Sequence, residues 1–275
     1  ITIGTTGKAG SALFNGTVSG TNINIIGGDV SAEASLANFA NTVTVTAISL
    51  DNNTGTTGAT FSGTAKTITG TINGAAAGEG TIIVSGTPTF VSTIGNTYRP
   101  AQLTINGATT FQAAVQTTLL TTTAAISSGT SLDASGASSI GGNITTTGNQ
   151  TYTGATTLTA DSSLTAGSST ISFGNTVNGA QSLTFTGSGT VTFTGAVGGT
   201  TPLTTITNAA GQQLTFSDAV AATTIANYGT LLFNATSAKT ISPAITDNGD
   251  TTIQVINNNN DNNDSINATA IRLLL

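Results

Sequence analysis

The sequence repeats with a period of about 21 residues, which is the length typical of solenoid repeats. Between residues 90 and 233 each repeat opens on an aromatic residue, or once on a leucine. The steps between these markers are similar but not identical, and the same marker returns at wider steps upstream, at Phe14, Phe39 and Phe61. This period limits the folds open to the chain. The markers from residue 90 onward are Phe90, Phe111, Leu132, Tyr152, Phe173, Phe193, Phe216 and Phe233.

The repeats share an internal order. Soon after the aromatic there is a Val or Ile, as at Val177 and Val197. A short turn of Gly, Asn or Ala follows, such as Gly198-Gly199, and then an alternating stretch such as LTFT at Leu183. Alternation at every second residue predicts strands, and Gly and Asn supply the positive φ that tight turns need. Each repeat therefore predicts short strands joined by turns.

These features predict an all-β fold, a parallel β-helix or solenoid with about 20 to 23 residues per coil. Neighbouring coils would stack about 4.8 Å apart, so that about 13 coils form a rod of roughly 60 Å, with like residues in ladders. A single coil cannot bury its own apolar face, which makes neighbours obligatory. The alternative is an array of immunoglobulin-like β-sandwiches, but such domains carry no period of this kind.

The regularity of the repeat divides the chain into three predicted segments. Residues 1–89 have irregular repeats, and we predict that they form solenoid coils or a cap. Residues 90–245 predict a regular solenoid. Residues 246–275 predict a polar segment rich in Asn and Asp, followed by a terminal strand. Whether residues 1–89 share the solenoid is left open by the repeat.

Composition restricts the classes of function. Only 6% of the residues are charged, the net charge is −6, and His, Cys, Met and Trp are absent. Five basic residues give no electrostatic footprint for nucleic acid and no polybasic membrane patch. No apolar run is long enough for a transmembrane helix, and a disulfide framework is impossible. Because residue 1 is not Met, we expect a mature or excised segment.

Three stretches have repeats similar to those of a known family, namely VGGTTPLTTIT, IGNTYRPAQLTINGATTFQAAV, and the run from NQTYTGATTLTAD to FTGAVGG. They resemble the passenger repeats of bacterial autotransporter and filamentous-haemagglutinin-like surface proteins, including rickettsial outer-membrane surface antigens. The resemblance covers residues 90–245, and less clearly 2–83. It implies a right-handed β-helix exported to the bacterial cell surface, with a role in adhesion or in a surface coat. The family's C-terminal membrane barrel does not occur in this sequence.

An enzyme is one alternative, because β-helices also carry carbohydrate-cleaving sites. Such sites need paired carboxylates, and at this period Asp29 and Asp51, or Asp133 and Asp161, could align across coils. Asp also favours turns, and the usual nucleophile–base pairs lack a base without His or Cys. We therefore predict that the chain is not an enzyme and has no catalytic residues.

The densest acidic stretch is TDNGDTTIQVINNNNDNNDS, and it supplies the candidate metal ligands. Only oxygen ligands are available, so Ca²⁺ is the plausible ion. The stretch lacks the spacing of a calcium loop, and the simpler interpretation is a turn followed by a polar loop. We predict no cofactor, with Ca²⁺ as the exception to test. The four candidate ligands are Asp247, Asp250, Asp261 and Asp264.

Thr-x-Thr stretches, at Thr42 and Thr184, raise the question of ice binding, which requires threonines in register on successive coils. The unequal steps between repeats argue against a regular face, and Thr also simply favours solvated strands. The predicted function is therefore an extracellular structural or adhesive solenoid segment, a stalk or coat of a bacterial cell surface. The alternatives are a self-assembling filament or surface-layer subunit, and a carbohydrate-binding or carbohydrate-cleaving β-helix. Expected partners are copies of the chain, other surface proteins, or a host receptor or glycan.

Overall fold

The computed structural model describes residues 1–30, 33–237, 239–247, 252–257 and 267–268. The described residues are all-β and contain no helix. Parallel strands stack as a β-solenoid with about 12 turns in all and about 21 residues per coil, which confirms the predicted fold class. The chain forms two compact units, Ile1–Gly136 and Ala137–Leu275.

Unit 1 consists of short strands separated by turns, and its strands alternate buried and exposed residues. The strands are β1 (Thr2–Ile3), β2 (Ser11–Phe14), β3 (Val18–Ser19), β4 (Asn22–Ile26), β5 (Ala34–Phe39), β6 (Val43–Asp51), β7 (Thr56–Phe61), β8 (Thr64–Gly74), β9 (Thr81–Val84), β10 (Thr87–Phe90), β11 (Gln102–Ile105), β12 (Thr109–Phe111), β13 (Val115–Thr117), β14 (Leu119–Thr122), β15 (Ile126–Ser128) and β16 (Leu132–Ala134).

Unit 2 continues the same pattern of short strands. The strands are β17 (Ser138–Ile140), β18 (Ile144–Thr146), β19 (Gln150–Tyr152), β20 (Thr156–Leu158), β21 (Ser162–Thr165), β22 (Ile171–Phe173), β23 (Val177–Asn178), β24 (Leu183–Thr186), β25 (Thr190–Phe193), β26 (Leu203–Asn208), β27 (Gln213–Phe216), β28 (Ala222–Asn227), β29 (Thr230–Ala235), β30 (Thr240–Ile241), β31 (Ala244–Asp247), β32 (Thr252–Asn257) and β33 (Asn267–Ala268).

Strands of successive coils pair in parallel and build long sheets. In unit 1, sheet A has the order β1-β4-β6-β8-β10-β12-β15, sheet B has the order β2-β5-β7-β9-β11-β14, and β13 pairs with β16 as sheet C. In unit 2, sheet D has the order β18-β21-β24-β26-β28-β31, sheet E has the order β19-β22-β25-β27-β29-β32, and sheet F has the order β17-β20-β23. Each coil thus contributes strands to different sheets in turn.

The strands around residue 89 answer the question that the repeat left open. Strand β10 pairs with β8 on one side and with β12 on the other. Strand β11 likewise pairs with β9 and β14. The coils before and after residue 89 therefore belong to the same solenoid unit.

Stacked aromatic rings line the interior of unit 2. Tyr152, Phe173, Phe193, Phe216 and Phe233 occupy one register position of sheet E, and their centroids lie 4.8 to 5.6 Å apart. Their planes are within 19° of parallel. Since the spacing of strands in a sheet is about 4.8 Å, register alone brings the rings into contact. The predicted aromatic ladder is confirmed for these five repeats.

In unit 1 the aromatic residues change sheets. Phe14, Phe39 and Phe61 stack in sheet B, whereas Phe90 and Phe111 stack in sheet A. Phe61 meets Phe90 edge to face, with ring centroids 5.0 Å apart. The interior is therefore filled by aromatics from two walls rather than by one continuous ladder.

Leu132 does not take the place that the repeat predicted. Phe111 pairs with Ser128, and Leu132 pairs with Val115 in sheet C. The coil from Phe111 to its partner Ser128 is shorter than the usual period of about 21 residues, so adding that period overshoots into the next strand. The assignment of Leu132 to the aromatic ladder was wrong, because spacing along the chain does not record where a coil is shortened.

The Val and Ile positions form ladders of their own. In unit 2, Val177, Val197, Val220 and Ile241 lie at bridged positions on successive coils. In unit 1, Ile94 bridges Ile72 and Val115. All of these side chains are buried. These residues therefore lie at a corner of the coil, and their side chains point into the interior.

Candidate functional site

The outer face of sheet D carries columns of hydroxyl side chains. Ser163, Thr184 and Thr207 occupy one register position on successive coils, where Ala226 and then Thr246 follow. These side chains alternate along their strands with buried residues, so they point outward. Register thus aligns hydroxyls that lie a whole repeat apart in the sequence.

Two further columns flank the first. Thr145, Thr165 and Thr186 form one, and the hydroxyls of Thr165 and Thr186 are hydrogen-bonded to each other. Thr205 and Thr224 form the other. Together the three columns make a patch that we call the threonine face, and none of its residues is charged.

Inward hydroxyls are used differently from outward ones. The Oγ1 atoms of Thr109, Thr117 and Thr146 and the Oγ of Ser162 each donate to a carbonyl two residues away, at 2.6 to 3.0 Å. This bond satisfies the buried hydroxyl locally at the bend of the coil. By contrast, within the described residues the hydroxyls of Thr184, Thr205, Thr207 and Thr224 have no protein partner. These four hydroxyls of the threonine face are therefore available to solvent or to a ligand.

Side chains of Asn and Asp extend the hydrogen-bond ladder into the turns. The backbone N–H of Ser163 donates to Oδ1 of Asn143, and the N–H of Ser182 donates to Oδ1 of Asp161, at 2.9 and 2.7 Å. The N–H of Thr200 donates in the same way to Oδ1 of Asn178, at 2.9 Å. Each acceptor lies one coil before its donor. These amides and carboxylates thus fasten neighbouring coils where no strand pairing is available.

A shallow, open depression of about 280 Å³ overlaps the threonine face and includes Ser163 and Thr184 of its central column. It is lined by Asn143, Asp161, Ser162, Ser163, Ser182 and Thr184. Oδ1 of its only carboxylate, Asp161, is engaged with the Ser182 backbone, and none of the lining residues is aromatic. The depression has polar groups but lacks the paired acids of a glycosidase and the aromatic platform on which a sugar ring could stack.

The two predicted acid pairs have separate environments. Asp51 pairs in register with Ile26, so it does not share a register position with Asp29. Asp133 forms an ion pair with Arg99, whose guanidinium also donates to the Thr117 carbonyl. Asp161 caps a turn in unit 2. The period allowed Asp29 to align with Asp51, but the two residues lie at different register positions, because Asp51 pairs with Ile26.

Each of the two ion pairs among the described residues links different coils. Arg99 Nη2 lies 2.5 Å from Asp133 Oδ2, and Lys239 Nζ lies 2.9 Å from Asp218 Oδ1. The hydrogen bond to Asp133 raises the pKa of Arg99. Partial burial opposes ionisation of Asp218, but hydrogen bonds from Lys239 and the Ala219 N–H lower its pKa. Each of these four charged side chains therefore has a partner of opposite charge.

The candidate calcium ligands fall mostly outside the described residues. Asp250, Asp261 and Asp264 lie there. Asp247 is the last residue of β31, in register with Asn227. Among the residues that the structure describes, no three acidic side chains come together in a group that could hold a metal. The calcium site at Asp247, Asp250, Asp261 and Asp264 stays a prediction.

Comparison with known proteins found no match among family models, curated proteins or solved structures. In the described part of the chain, no helix is long and apolar enough to cross a membrane. Function is therefore inferred from this chain's own geometry.

The threonine face was not recognised from the sequence, although its signal was present. Thr-x-Thr occurs at Thr184 and again at Thr205. The unequal steps between repeats obscured the alignment, because extra residues lie in turns such as 194–202 and leave strand register unchanged. A comparison of strand segments alone, with the turns removed, would have aligned the hydroxyls.

Proposed function

We propose that the chain is a structural and adhesive solenoid segment of a bacterial cell-surface protein, serving as a stalk or coat. The single observation behind this proposal is the continuous coil-to-coil register within each unit, in which aromatic stacks, hydrogen-bond ladders and turn caps repeat. In a solenoid of this kind, stability grows by addition of nearest-neighbour contacts. The chain is therefore organised as a scaffold. Its outer faces are available for contact with other molecules.

The chemistry of the outward side chains supports the proposed role as a stalk or coat. Outward positions are mainly Thr, Ser and Asn, which solvate the strands without charge. A surface of low charge does not repel neighbouring copies at close distance. The resemblance of the repeats to autotransporter and filamentous-haemagglutinin-like passengers agrees with an extracellular location.

A self-assembling filament or coat subunit is the second candidate, favoured by exposed aliphatic side chains on the outer face of sheet B. Leu13 and Leu36 are 62% and 52% exposed, and Ile83 and Leu119 are also exposed on the same sheet. These residues alternate with the buried ones of their strands and so face outward. Exposed aliphatic side chains on one face of a sheet favour contact of that face with another surface.

Localisation is tested by immunogold electron microscopy with antibodies against the purified chain. On intact cells of the source organism we expect gold on the outer surface, at the same density as on permeabilised cells. Labelling that appears only after permeabilisation would exclude the surface role. Negative-stain images of the purified chain over a range of concentrations separate the two candidates, since isolated particles support the stalk and ordered filaments or sheets support self-assembly.

A further inference from the structure

We propose that the threonine face of sheet D binds ice. The face is the array defined above. Its central column contains Ser163, Thr184, Thr207 and Thr246, with Ala226 between the last two, and its ice binding would not depend on the proposed surface role. The ligand is a crystal plane of water, recognised by a two-dimensional pattern of hydroxyl and methyl groups rather than by a pocket.

The spacing of the array is set by backbone geometry. Neighbours in a column lie one strand apart, about 4.8 Å, and neighbours along a strand lie two residues apart, about 6.7 Å. Thr184 and Thr186 are such a pair along β24, and Thr205 and Thr207 are another along β26. These two repeats are close to the oxygen–oxygen repeats on prism planes of hexagonal ice. Hydroxyls held at these spacings can replace water molecules of the lattice.

Threonine suits this task because its side chain is stiff. Two heavy atoms on Cβ restrict χ1, so the hydroxyl and the methyl keep fixed positions on a strand. The mutual hydrogen bond of Thr165 and Thr186 restricts one column further. Little side-chain entropy is then lost when the face meets an ordered surface.

Four hydroxyls of the array have no partner within the described residues. Among the described residues, Thr184, Thr205, Thr207 and Thr224 have no protein partner for their hydroxyls, whereas the inward hydroxyls of Thr146 and Ser162 donate to carbonyls. None of the array residues carries a charge, which would hold a disordered hydration shell. The face therefore presents hydrogen-bonding groups whose natural partner is water.

The outer face of sheet E provides a contrast within the same unit. Its corresponding column contains Thr151, Ser172 and Thr192, but Thr215 is buried and Leu232 and Gln254 follow. Nε2 of Gln213 donates to the Thr215 hydroxyl oxygen, which occupies one acceptor position of that hydroxyl. We expect no ice affinity from this face.

The test uses the full chain and measures ice growth directly. Thermal hysteresis and crystal shape are recorded in a nanolitre osmometer over a series of protein concentrations. The unaltered chain is expected to produce faceted crystals and a gap between melting and freezing. Round crystals that grow without a gap at every concentration would overturn the proposal.

Variants assign the activity to the face. Thr207→Lys and Thr184→Lys, made separately, are each expected to abolish the gap, because a long charged side chain lifts the ice plane away from the array. Thr192→Lys on sheet E is the matched control and should keep the gap. Far-UV circular dichroism and thermal melting select the variants that remain folded, and either face variant suffices. Equal loss in the Thr192→Lys control, or full activity in a folded face variant, would contradict the assignment.

Discussion

Asn208 and Asn227 lie directly above one another in the interior of unit 2. Nδ2 of Asn208 donates to Oδ1 of Asn227 at 2.7 Å, and both side chains are fully buried. Nδ2 of Asn208 also donates to the Thr230 carbonyl, while Nδ2 of Asn227 donates to the Gly229 carbonyl. The two amides thus satisfy the backbone at a corner where the coil leaves sheet D, in the manner of a short asparagine ladder.

Replacing the second amide should destabilise unit 2. In Asn227→Ala, one Nδ2 hydrogen of Asn208 loses an acceptor and the Gly229 carbonyl loses a donor, at a cost of about 1 to 3 kcal/mol. Urea denaturation monitored by circular dichroism measures the change in the free energy of unfolding. Thr223→Ala, at an exposed position on the same strand, is the control and should have little effect. Equal stability of the two variants would show that the ladder makes no net contribution.

Truncation in the middle of the aromatic stack should be more costly than truncation at its end. Phe193 has stacked neighbours on both sides, Phe173 at 4.9 Å and Phe216 at 4.8 Å, and Phe185 packs edge-on. We expect Phe193→Ala to lower the free energy of unfolding by about 3 to 5 kcal/mol. Phe233→Ala removes a ring with one stacked neighbour and should lose less. Denaturant unfolding of both variants decides the order, and a larger loss for Phe233→Ala would contradict it.

Two adjacent glycines should respond differently to substitution by alanine. Gly198 has a φ of 69°, and a Cβ there would lie 1.9 Å from the Ala221 carbonyl oxygen of the next coil. At Gly199 the nearest atom to such a Cβ is 3.7 Å away, and φ is not in the left-handed region. Gly198→Ala should therefore destabilise the chain by about 1 to 3 kcal/mol, through backbone strain. Gly199→Ala should be tolerated, and thermal melting of the pair compares them directly.

Tyr152 should make the chain sensitive to alkali. Burial raises the pKa of its phenol far above the ordinary value, and the hydroxyl donates to Oε1 of Gln150 at 3.0 Å. Above pH of about 10 the phenol of the unfolded chain ionises while the native phenol stays neutral, so stability falls by about 1.4 kcal/mol per pH unit from this group. Below that pH the contribution is fully present. Urea denaturation between neutral and alkaline pH should show this slope.

Tyr152→Phe is expected to remove that part of the slope, because no phenol remains to ionise on unfolding. Tyr228→Phe is the control: Tyr228 is 45% exposed, so its loss should leave the slope of the parent chain. The same slope in Tyr152→Phe as in the parent would mean that the buried phenol does not govern the alkaline transition.

The period of the aromatic residues was sufficient to predict the parallel solenoid, because side chains of like size can stack only when coils repeat. It also located the Val and Ile corner positions correctly, as the bridges of Val177, Val197 and Val220 show. It failed at Leu132, where the coil is shorter than the usual period. It also allowed an alignment of Asp29 with Asp51 that the register does not have.

By itself, the sequence determined the fold class, the approximate length of a coil and the scarcity of charged groups, since these depend on composition and on period. The tertiary structure alone decided which residues are neighbours between coils. Strand register is set by backbone hydrogen bonding and by burial of alternate side chains, while turns absorb differences in length. For that reason Thr184 and Thr207 share a column although a whole repeat separates them, and the threonine face became visible only when the coils were stacked.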